Sequence, residues 1–251
     1  MKLISASRIL KRFGEAGEQR AVLNDISIDI HEGEFVTVMG PSGSGKSTLM
    51  YALSGMENLD GGEVTFEGHD VAELKDNELA DLRRRKMGFV FQQPTFLRNL
   101  NLLDNIILPA MRENKLERSE IVKRAEFLMD SVEISELGMR DITQVSGGQL
   151  QRAGICRALI NSPRIVFGDE PTGALNSASS QEIMNIFSEI NKKGTTITLV
   201  THDAKVSAVA ERILFLSDGK VVDEMRLPKY EGRNFETRTL QISERLIELG
   251  I

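Results

Sequence analysis

A glycine-rich loop between residues 40 and 48 carries the clearest chemical signal in this sequence. Its residues are Gly40, Pro41, Ser42, Gly43, Ser44, Gly45, Lys46, Ser47 and Thr48. They match the phosphate-loop pattern, in which a lysine contacts the β- and γ-phosphates and a serine hydroxyl ligates Mg²⁺. The glycines let backbone N–H groups face an anion, and the helix that follows adds its partial positive charge. Because an apolar strand precedes the loop and a helical stretch follows it, we predict a nucleoside triphosphate site with Mg²⁺.

An apolar strand that ends in two acidic residues is the second signal. Ile165–Phe167 leads through Gly168 to Asp169 and Glu170. Phosphoryl transfer to water needs one carboxylate near Mg²⁺ and a second group that positions the attacking water. The pattern is common by itself, but downstream of a phosphate loop it indicates a Walker B element. Gly168 has no side chain to pack, and we attach no function to it.

A second glycine-rich helix start lies between these two segments. Ser146, Gly147, Gly148 and Gln149 precede a run with apolar residues at helical spacing. The backbone N–H groups at such a start can bind an anion, although a plain loop before a helix explains the same residues. One triphosphate needs only one phosphate-binding loop, so the presence of a second glycine-rich helix start needs a separate explanation.

Taken in order, the three segments resemble the ATP-binding-cassette (ABC) ATPases, and the resemblance runs from about Leu3 to Asp223. In that family two copies dimerise head to tail, with each ATP between the phosphate loop of one copy and the Ser-Gly-Gly-Gln signature of the other. The resemblance therefore supplies a reason for the second helix start. It implies an α/β P-loop NTPase fold with a mainly parallel core sheet, a small N-terminal antiparallel part and a helical insertion.

Three further positions match the family one by one. Gln92 matches the glutamine that touches Mg²⁺ and the attacking water, and His202 matches the switch histidine at the γ-phosphate. Phe13 aligns with the aromatic residue that stacks on adenine, which needs only the face of a ring. Without the family, His202 is a polar residue at a strand end and Phe13 is a core aromatic.

The resemblance thus assigns a role to each candidate residue. The catalytic residues are Glu170, His202 and Gln92, and the Mg²⁺ contacts are Ser47, Gln92 and Asp169. The ATP-binding residues are Phe13, the loop from Gly40 to Thr48, and Ser146, Gly147, Gly148 and Gln149 of the partner copy.

The branch within the family can be narrowed. Ser47–Met50, Met87–Gln92 and Asp169–Leu175 look like the macrolide-exporter and lipoprotein-releasing branch (MacB/LolD type), close to bacitracin-type peptide exporters, and the loop Gly14–Arg20 also fits it. Family members power a membrane permease that is either fused or separate.

Two positions depart from the family pattern. Val145 replaces the usual leucine before the signature, and we expect little effect from this small change in volume. Asn176 replaces the usual aspartate of the D-loop, so it keeps hydrogen-bonding capacity but loses the charge. This second change puts communication between the two ATP sites in doubt.

Alternating strand and helix patterns predict the elements that position these residues. The parallel core strands are expected at Val36–Met39, Ile165–Phe167 and Ile197–Val200, and the antiparallel part near Ile26–Ile30 and Val64–Phe66. We expect an ATPase domain over residues 1–223, with the helical insertion at about 94–160, and a C-terminal extension over 224–251.

The extension has the pattern of one helix. Its apolar face comprises Phe235, Thr239, Ile242, Leu246 and Leu249. The helix either packs on its own domain or lies on a membrane surface. A membrane-surface helix favours Lys and Arg on its polar face, whereas here Arg233, Arg238 and Arg245 are matched by Glu236, Glu244 and Glu248. We therefore favour packing on the domain.

Composition excludes several other classes. The chain of 251 residues has 31 Lys and Arg against 37 Asp and Glu, and this balance argues against a nucleic-acid partner. The single Cys156 excludes an internal disulfide and a Cys-rich zinc site. No apolar run approaches the roughly 18 residues that a membrane span requires. We expect a soluble, unexported protein without direct membrane insertion.

These observations predict the ATPase subunit of an ABC transporter, with ATP and Mg²⁺ as cofactors. The partners are a second copy and a separate transmembrane permease, which would hold the chain at the cytoplasmic face of the membrane. The predicted substrates are peptides, antibiotics or lipidated molecules that are exported or extracted. The rivals are an ABC ATPase acting on DNA or ribosomes, a regulatory ATP-binding protein with weak turnover, and a small-molecule kinase, which would leave the signature unexplained.

Overall fold

The computed structural model describes residues 1–14, 19–112 and 117–251, and these form two β-sheets with helices packed around them. The strands are β1 (Lys2–Phe13), β2 (Arg20–His31), β3 (Phe35–Met39), β4 (Gly61–Phe66), β5 (His69–Asp70), β6 (Met87–Phe91), β7 (Ile165–Asp169), β8 (Thr196–Thr201), β9 (Arg212–Ser217) and β10 (Lys220–Arg226). The helices are α1 (Lys46–Leu53), α2 (Asp76–Lys86), α3 (Leu102–Ile107), α4 (Arg118–Ser131), α5 (Gly147–Leu159), α6 (Ser177–Lys192), α7 (Ala204–Ser207) and α8 (Phe235–Leu249). Two 3₁₀ turns lie at Ser135–Leu137 and Ile142–Gln144. Residues 15–18 of the expected loop Gly14–Arg20 lie outside the described residues.

The larger sheet has the strand order β10-β9-β3-β8-β7-β6 and is parallel except for β10. Strands β3 and β8 are buried along their whole length, as expected for strands covered on both faces. The three predicted core strands are therefore confirmed. Because parallel strands end at the same edge, the segments after β3, β6, β7 and β8 come together there.

The smaller sheet is antiparallel, with the order β2-β1-β4-β5. Strand β1 lies between β2 and β4, and its buried residues Ile4 and Ile9 face the core together with Ile26 and Val64. The antiparallel N-terminal part is therefore confirmed. Its register brings Phe13, the last residue of β1, opposite Arg20 at the start of β2.

The helical insertion has an apolar cluster of its own. Leu102 and Ile106 of α3 pack against Ala125 and Met129 of α4 and against Cys156 of α5. The opposite face of α5 packs on the strands of the larger sheet through its other buried side chains. Helix α5 thus connects the insertion to the sheet. Burial raises the pKa of the Cys156 thiol to about 12, as expected for a cysteine that serves as a small apolar residue.

The C-terminal helix α8 packs on its own chain, as predicted. Ile242 lies in a cluster with Met39, Ala208 and Phe215. Strand β10 continues to Arg226, past residue 223, where we expected the ATPase domain to end. Among the described residues no helix is long and apolar enough to cross a membrane.

One prediction about this helix is wrong. Arg238 does not lie on the polar face opposite a glutamate but is buried. Its guanidinium donates to the carbonyl oxygens of Ala208, Ala210 and Pro228 at 2.5, 2.6 and 2.7 Å and lies 5.5 Å from the ring centroid of Tyr230. Carbonyl oxygens of neighbouring segments thus solvate the cation, and burial lowers its pKa.

Candidate functional site

The phosphate loop connects β3 to α1 and lies against neighbouring backbone. A Cβ atom on Gly40 would be 2.0 Å from the carbonyl oxygen of Leu216, and one on Gly45 would be 2.6 Å from that of Val22. Gly45 also has φ +102°, a conformation that favours glycine. Within the described chain no side chain caps α1, so the first backbone N–H groups of this helix remain available to an anion.

The side chain of Lys46 folds back over this loop. Its Nζ donates to the carbonyl oxygens of Gly40 and Pro41, both at 2.9 Å. Burial lowers the pKa of Lys46, and the carboxylates of Glu170 and Asp169 oppose that shift. The buried hydroxyl of Ser44 has no hydrogen-bond partner among the described residues. A cation, free N–H groups and an unsatisfied hydroxyl in one loop fit an anion such as a phosphate group.

Asp169 ends β7 beside the start of α1. Its Oδ1 accepts a hydrogen bond from Ser47 Oγ at 2.9 Å, and its Oδ2 accepts one from Tyr51 Oη at 3.1 Å. Burial raises the pKa of Tyr51, and the neighbouring carboxylate raises it further. A carboxylate and a serine hydroxyl in contact are hard oxygen donors, which suit Mg²⁺.

Glu170 is the next residue and pairs with His202. Glu170 has φ +46°, an unusual conformation for a residue with a side chain. Its Oε1 lies 2.8 Å from His202 Nδ1 across the edge of the sheet. An ionised carboxylate only accepts, so this nitrogen carries the hydrogen when Glu170 is charged.

These groups line one cavity of about 730 Å³. Its lining residues are Phe13, Val22, Ser42, Gly43, Gly45, Lys46, Ser47, Thr48, Gln92, Glu170 and His202. The structure thus brings together the phosphate loop, the aromatic at the end of β1 and the predicted catalytic side chains. Asp169 is not a lining residue but is hydrogen-bonded to Ser47, which is one. Gly40, Pro41 and Ser44 belong to the same phosphate loop but do not line the cavity.

The signature residues lie elsewhere, and none of them lines this cavity. Ser146 caps α5: its Oγ accepts from the Gln149 backbone N–H at 3.3 Å, and Gln149 Oε1 accepts from the Ser146 N–H at 2.8 Å. Ser146 and Gly147 are exposed. The described chain therefore contains two separate groups of predicted site residues.

Three contacts of the site were missed from the sequence. Val22 lines the cavity, Tyr51 binds Asp169, and the buried Gln151 donates to the carbonyl oxygen of Phe91 at 3.0 Å, directly before Gln92. Tyr51 follows Ser47 by one helical turn, and this spacing could have indicated it. The other two contacts join segments distant in sequence.

Comparison with known proteins identifies this arrangement. A family model described as ABC transporter matches residues 23–173. The chain belongs to the ABC transporter family. This ABC cassette is an ATPase.

Relatives of this ABC cassette occur both as separate chains and within longer ones. The uncharacterized ABC transporter ATP-binding protein YknY of Bacillus subtilis (strain 168) is 40% identical over 220 residues, which are 88% of this chain and 95% of YknY. The macrolide export ATP-binding/permease protein MacB of Aggregatibacter actinomycetemcomitans is 38% identical over 224 residues. That match covers 89% of this chain and 35% of MacB, so the chain spans about a third of that relative.

Solved cassettes have the same fold. The dimeric structure of the bacterial ABC transporter cassette MJ0796 has a TM-score of 0.84 at 37% identity and covers 90% of this chain and 100% of that one. A post-hydrolysis dimer of MJ0796 bound to ADP and Pi has a TM-score of 0.84 at 36% identity.

The structure shows the contacts of the two residues that depart from the family pattern, Asn176 and Val145. Asn176 caps α6, because its Oδ1 accepts from the Ser179 backbone N–H at 2.9 Å. Val145 packs against the apolar cluster of the helical insertion. Asparagine and aspartate side chains can both accept this capping hydrogen bond, so the start of α6 does not require the usual aspartate.

Proposed function

We propose that this chain is the ATP-hydrolysing subunit of an exporter whose permease is a separate chain at the membrane, with this subunit on the cytoplasmic face. The observation that carries the proposal is the single cavity in which the phosphate loop faces the Glu170–His202 pair. Such a cavity places the binding groups and the hydrolytic groups around the same ligand. Kinases of small molecules have no need for the signature segment outside it.

ATP would lie with its adenine against Phe13 and Val22 and its phosphates on the loop. Phe13 is 45% exposed at the end of β1, so one face of its ring is open for stacking. Lys46 would exchange its carbonyl partners for the β- and γ-phosphates, because a phosphate oxygen offers a charged acceptor. The N–H groups at the start of α1 would bind the same phosphates.

Mg²⁺ would be held by Ser47, Gln92 and Asp169. When bound, it neutralises charge on the β- and γ-phosphates. The role of this chain is to present the ligands in place: Ser47 Oγ and Asp169 Oδ1 are already in contact at 2.9 Å. Gln92 follows β6, where Gln151 holds the preceding carbonyl.

Hydrolysis would use Glu170 as the group that activates water. Its Oε1 is engaged by His202, so Oε2 remains to accept a proton from the attacking water. His202 would fix the carboxylate and reach the γ-phosphate from the same edge of the sheet. Positioning and charge stabilisation of this kind account for most catalysis of phosphoryl transfer.

A second copy would complete the site. The signature at the start of α5 is exposed and outside the cavity. We infer a head-to-tail dimer in which Ser146, Gly147, Gly148 and Gln149 of one copy cover the ATP of the other. The solved structures of the cassette MJ0796 are dimeric, which supports the dimer itself.

A groove of about 440 Å³ beside the helical insertion is the proposed docking surface for the permease. Its walls include Met56, Leu108, Pro109 and Arg157, and Leu108 is 46% exposed. Exposed apolar side chains next to an arginine suit a segment of another protein. MacB relatives are named as joint ATP-binding and permease proteins, which supports an exporter. Peptides, antibiotics or lipidated molecules are the proposed cargo.

The variant Glu170→Gln tests the hydrolytic assignment. It removes the proton acceptor but keeps the shape of the side chain, so turnover should fall by about 10²–10⁴-fold while ATP binding is kept. With ATP the variant should accumulate as a dimer in gel filtration. The matched control is Glu189→Gln on α6, an exposed glutamate that pairs only with Lys192 among the described residues. Unchanged turnover in Glu170→Gln would show that another group activates the water.

The variant Leu108→Asp tests the docking surface. A charge in the groove should reduce copurification with the coexpressed permease by about tenfold or more, because a buried unpaired charge is costly. ATP binding by the isolated chain should stay unchanged. Leu240→Asp on α8 is the control, since Leu240 is 59% exposed and far from the groove in sequence. Equal copurification of both variants would remove the groove from the proposal.

A further inference from the structure

Tyr51 stands on the face of α1 that is turned toward the acidic end of β7. Its Oη donates to Asp169 Oδ2 at 3.1 Å, while Ser47 Oγ donates to Oδ1 at 2.9 Å. The two hydroxyls are one helical turn apart on the same helix. Each oxygen of the carboxylate therefore accepts a bond from a hydroxyl of α1, and rotation of the carboxylate would break one of them.

The ring of Tyr51 is well placed for this task. It is half-buried and packs on the core cluster between the two sheets. The Tyr51 carbonyl oxygen accepts from the backbone N–H groups of Met56 and Glu57 at 2.8 and 3.2 Å, where α1 ends. Packing and backbone bonds thus fix the residue from two sides, so the hydroxyl can fix Asp169.

Tyr51 lies beyond the phosphate-loop pattern, which ends at Ser47. Ser47 has a second proposed task, because its oxygen would ligate Mg²⁺. Tyr51 has no such task, and its hydroxyl serves the carboxylate alone among the contacts of the described chain.

We propose that Tyr51 is a positioning residue that orients Asp169 for Mg²⁺ and thereby raises the metal affinity of this cassette. The inference rests on the proposed role of Asp169 at the metal. Partners of this kind typically change metal affinity by 10–100-fold when they are removed. The hydroxyl should matter for the metal and not for the nucleotide itself, since Tyr51 does not line the cavity.

The test uses Tyr51→Phe in the full chain, with Mn²⁺ as the probe. Mn²⁺ affinity in the presence of ATP, measured by electron paramagnetic resonance, should fall by about tenfold. ATP affinity measured in EDTA should stay as in the wild type. In the ATPase assay, half-saturation should need about tenfold more Mg²⁺, and turnover at saturating Mg²⁺ should return close to the wild-type value. A general structural defect would not be rescued by metal in this way.

Tyr230→Phe is the matched control, because Tyr230 is the other tyrosine of the chain and packs against Phe235 and Arg238. Equal Mn²⁺ affinity of Tyr51→Phe and Tyr230→Phe would overturn the proposal. Asp169→Asn separates it from the proposed function. If Asp169→Asn weakens Mn²⁺ binding and Tyr51→Phe does not, only the role of Tyr51 is wrong. If neither variant changes it, the metal assignment of Asp169 is wrong as well.

Discussion

The two glycine-rich helix starts of the chain differ in what their backbone N–H groups already bind. At the phosphate loop, no side chain of the described residues caps α1, and the loop lines a cavity with Lys46 beside it. At the signature, Ser146 and Gln149 cap each other and the helix start lies on the surface. The first start is open to a ligand within its own chain. The second is already capped by side chains of its own chain, so it can contact only a ligand that is bound outside that chain.

The glycines of the two starts differ in the same way. A Cβ on Gly45 would meet backbone at 2.6 Å, whereas one on Gly148 would have its nearest neighbour, Ser179 Oγ, at 3.5 Å, which is ordinary contact. Gly45 is therefore required by the fold of its own chain. Gly148 is not required by the fold of its own chain, and in the proposed dimer its lack of a side chain would leave room for the ATP of the other copy.

Among the variants that test this comparison, Lys46→Ala should have the largest effect. The variant removes the cation of the phosphate loop, so ATP affinity should fall by at least about 100-fold, or about 2.7 kcal/mol, within the range of a charged hydrogen bond. Titration with a fluorescent ATP analogue measures it. Lys192→Ala on the exposed part of α6 is the control. An affinity like that of the wild type would show that the loop does not bind the phosphates.

A pair of alanine substitutions tests the comparison directly. Gly45→Ala should lose ATP binding, and its free energy of unfolding should fall by about 2 kcal/mol or more. The reason for both is that a methyl group there meets backbone at a positive φ. Gly148→Ala should keep ATP binding by the monomer and should not lower the melting temperature, since alanine favours helix. It should reduce turnover about tenfold or more, because the methyl group would lie where the second copy's ATP approaches. Normal turnover in Gly148→Ala would show that the second helix start does not contact the ATP of the other copy.

The smallest effect should come from Asn176→Asp, beside the signature helix. Aspartate also caps α6, and its charge adds about 0.3–1 kcal/mol at a helix start. Urea unfolding should show a gain of this size, and turnover should rise about fivefold at most because the usual D-loop charge is restored. The matched variant Asn176→Ala removes the cap of α6, and its free energy of unfolding should fall by about 1 kcal/mol. Equal stability of Asn176→Asp and the wild type, with equal turnover, would show that asparagine is a full substitute.

Local patterns predicted the phosphate loop and the Asp169–Glu170 pair, whereas Gln92 and His202 were assigned through the family resemblance. The geometry of parallel strands explains why the residues after β3, β6, β7 and β8 meet at one sheet edge. Contacts across the sequence could not be placed. The Tyr51–Asp169 bond and the packing of Val22 depend on how the two sheets lie together.

Two residues show why sequence reasoning fails at packing. Gly168 seemed to carry no information, but a Cβ there would lie 2.4 Å from Leu199 Cδ2, so the glycine makes room for a neighbouring strand's side chain. Arg238 was counted with Arg233 and Arg245 as a polar-face arginine matched by glutamates. The charge pattern of a helix does not reveal that an arginine has carbonyl oxygens beneath it.

The buried Arg238 also links the end of the chain to the catalytic edge in a way that bears on unfolding. Its partners Ala208 and Ala210 lie just beyond α7, which begins two residues after His202. Opening of α8 would leave those carbonyls without their donor and Arg238 without its acceptors, so the helix and the segment after the histidine should open in one step. The amides of α8 and of residues 207–210 should therefore exchange their hydrogens with solvent deuterium at a common rate. The last helix of the chain and the histidine segment would then form one cooperative unit of the native state.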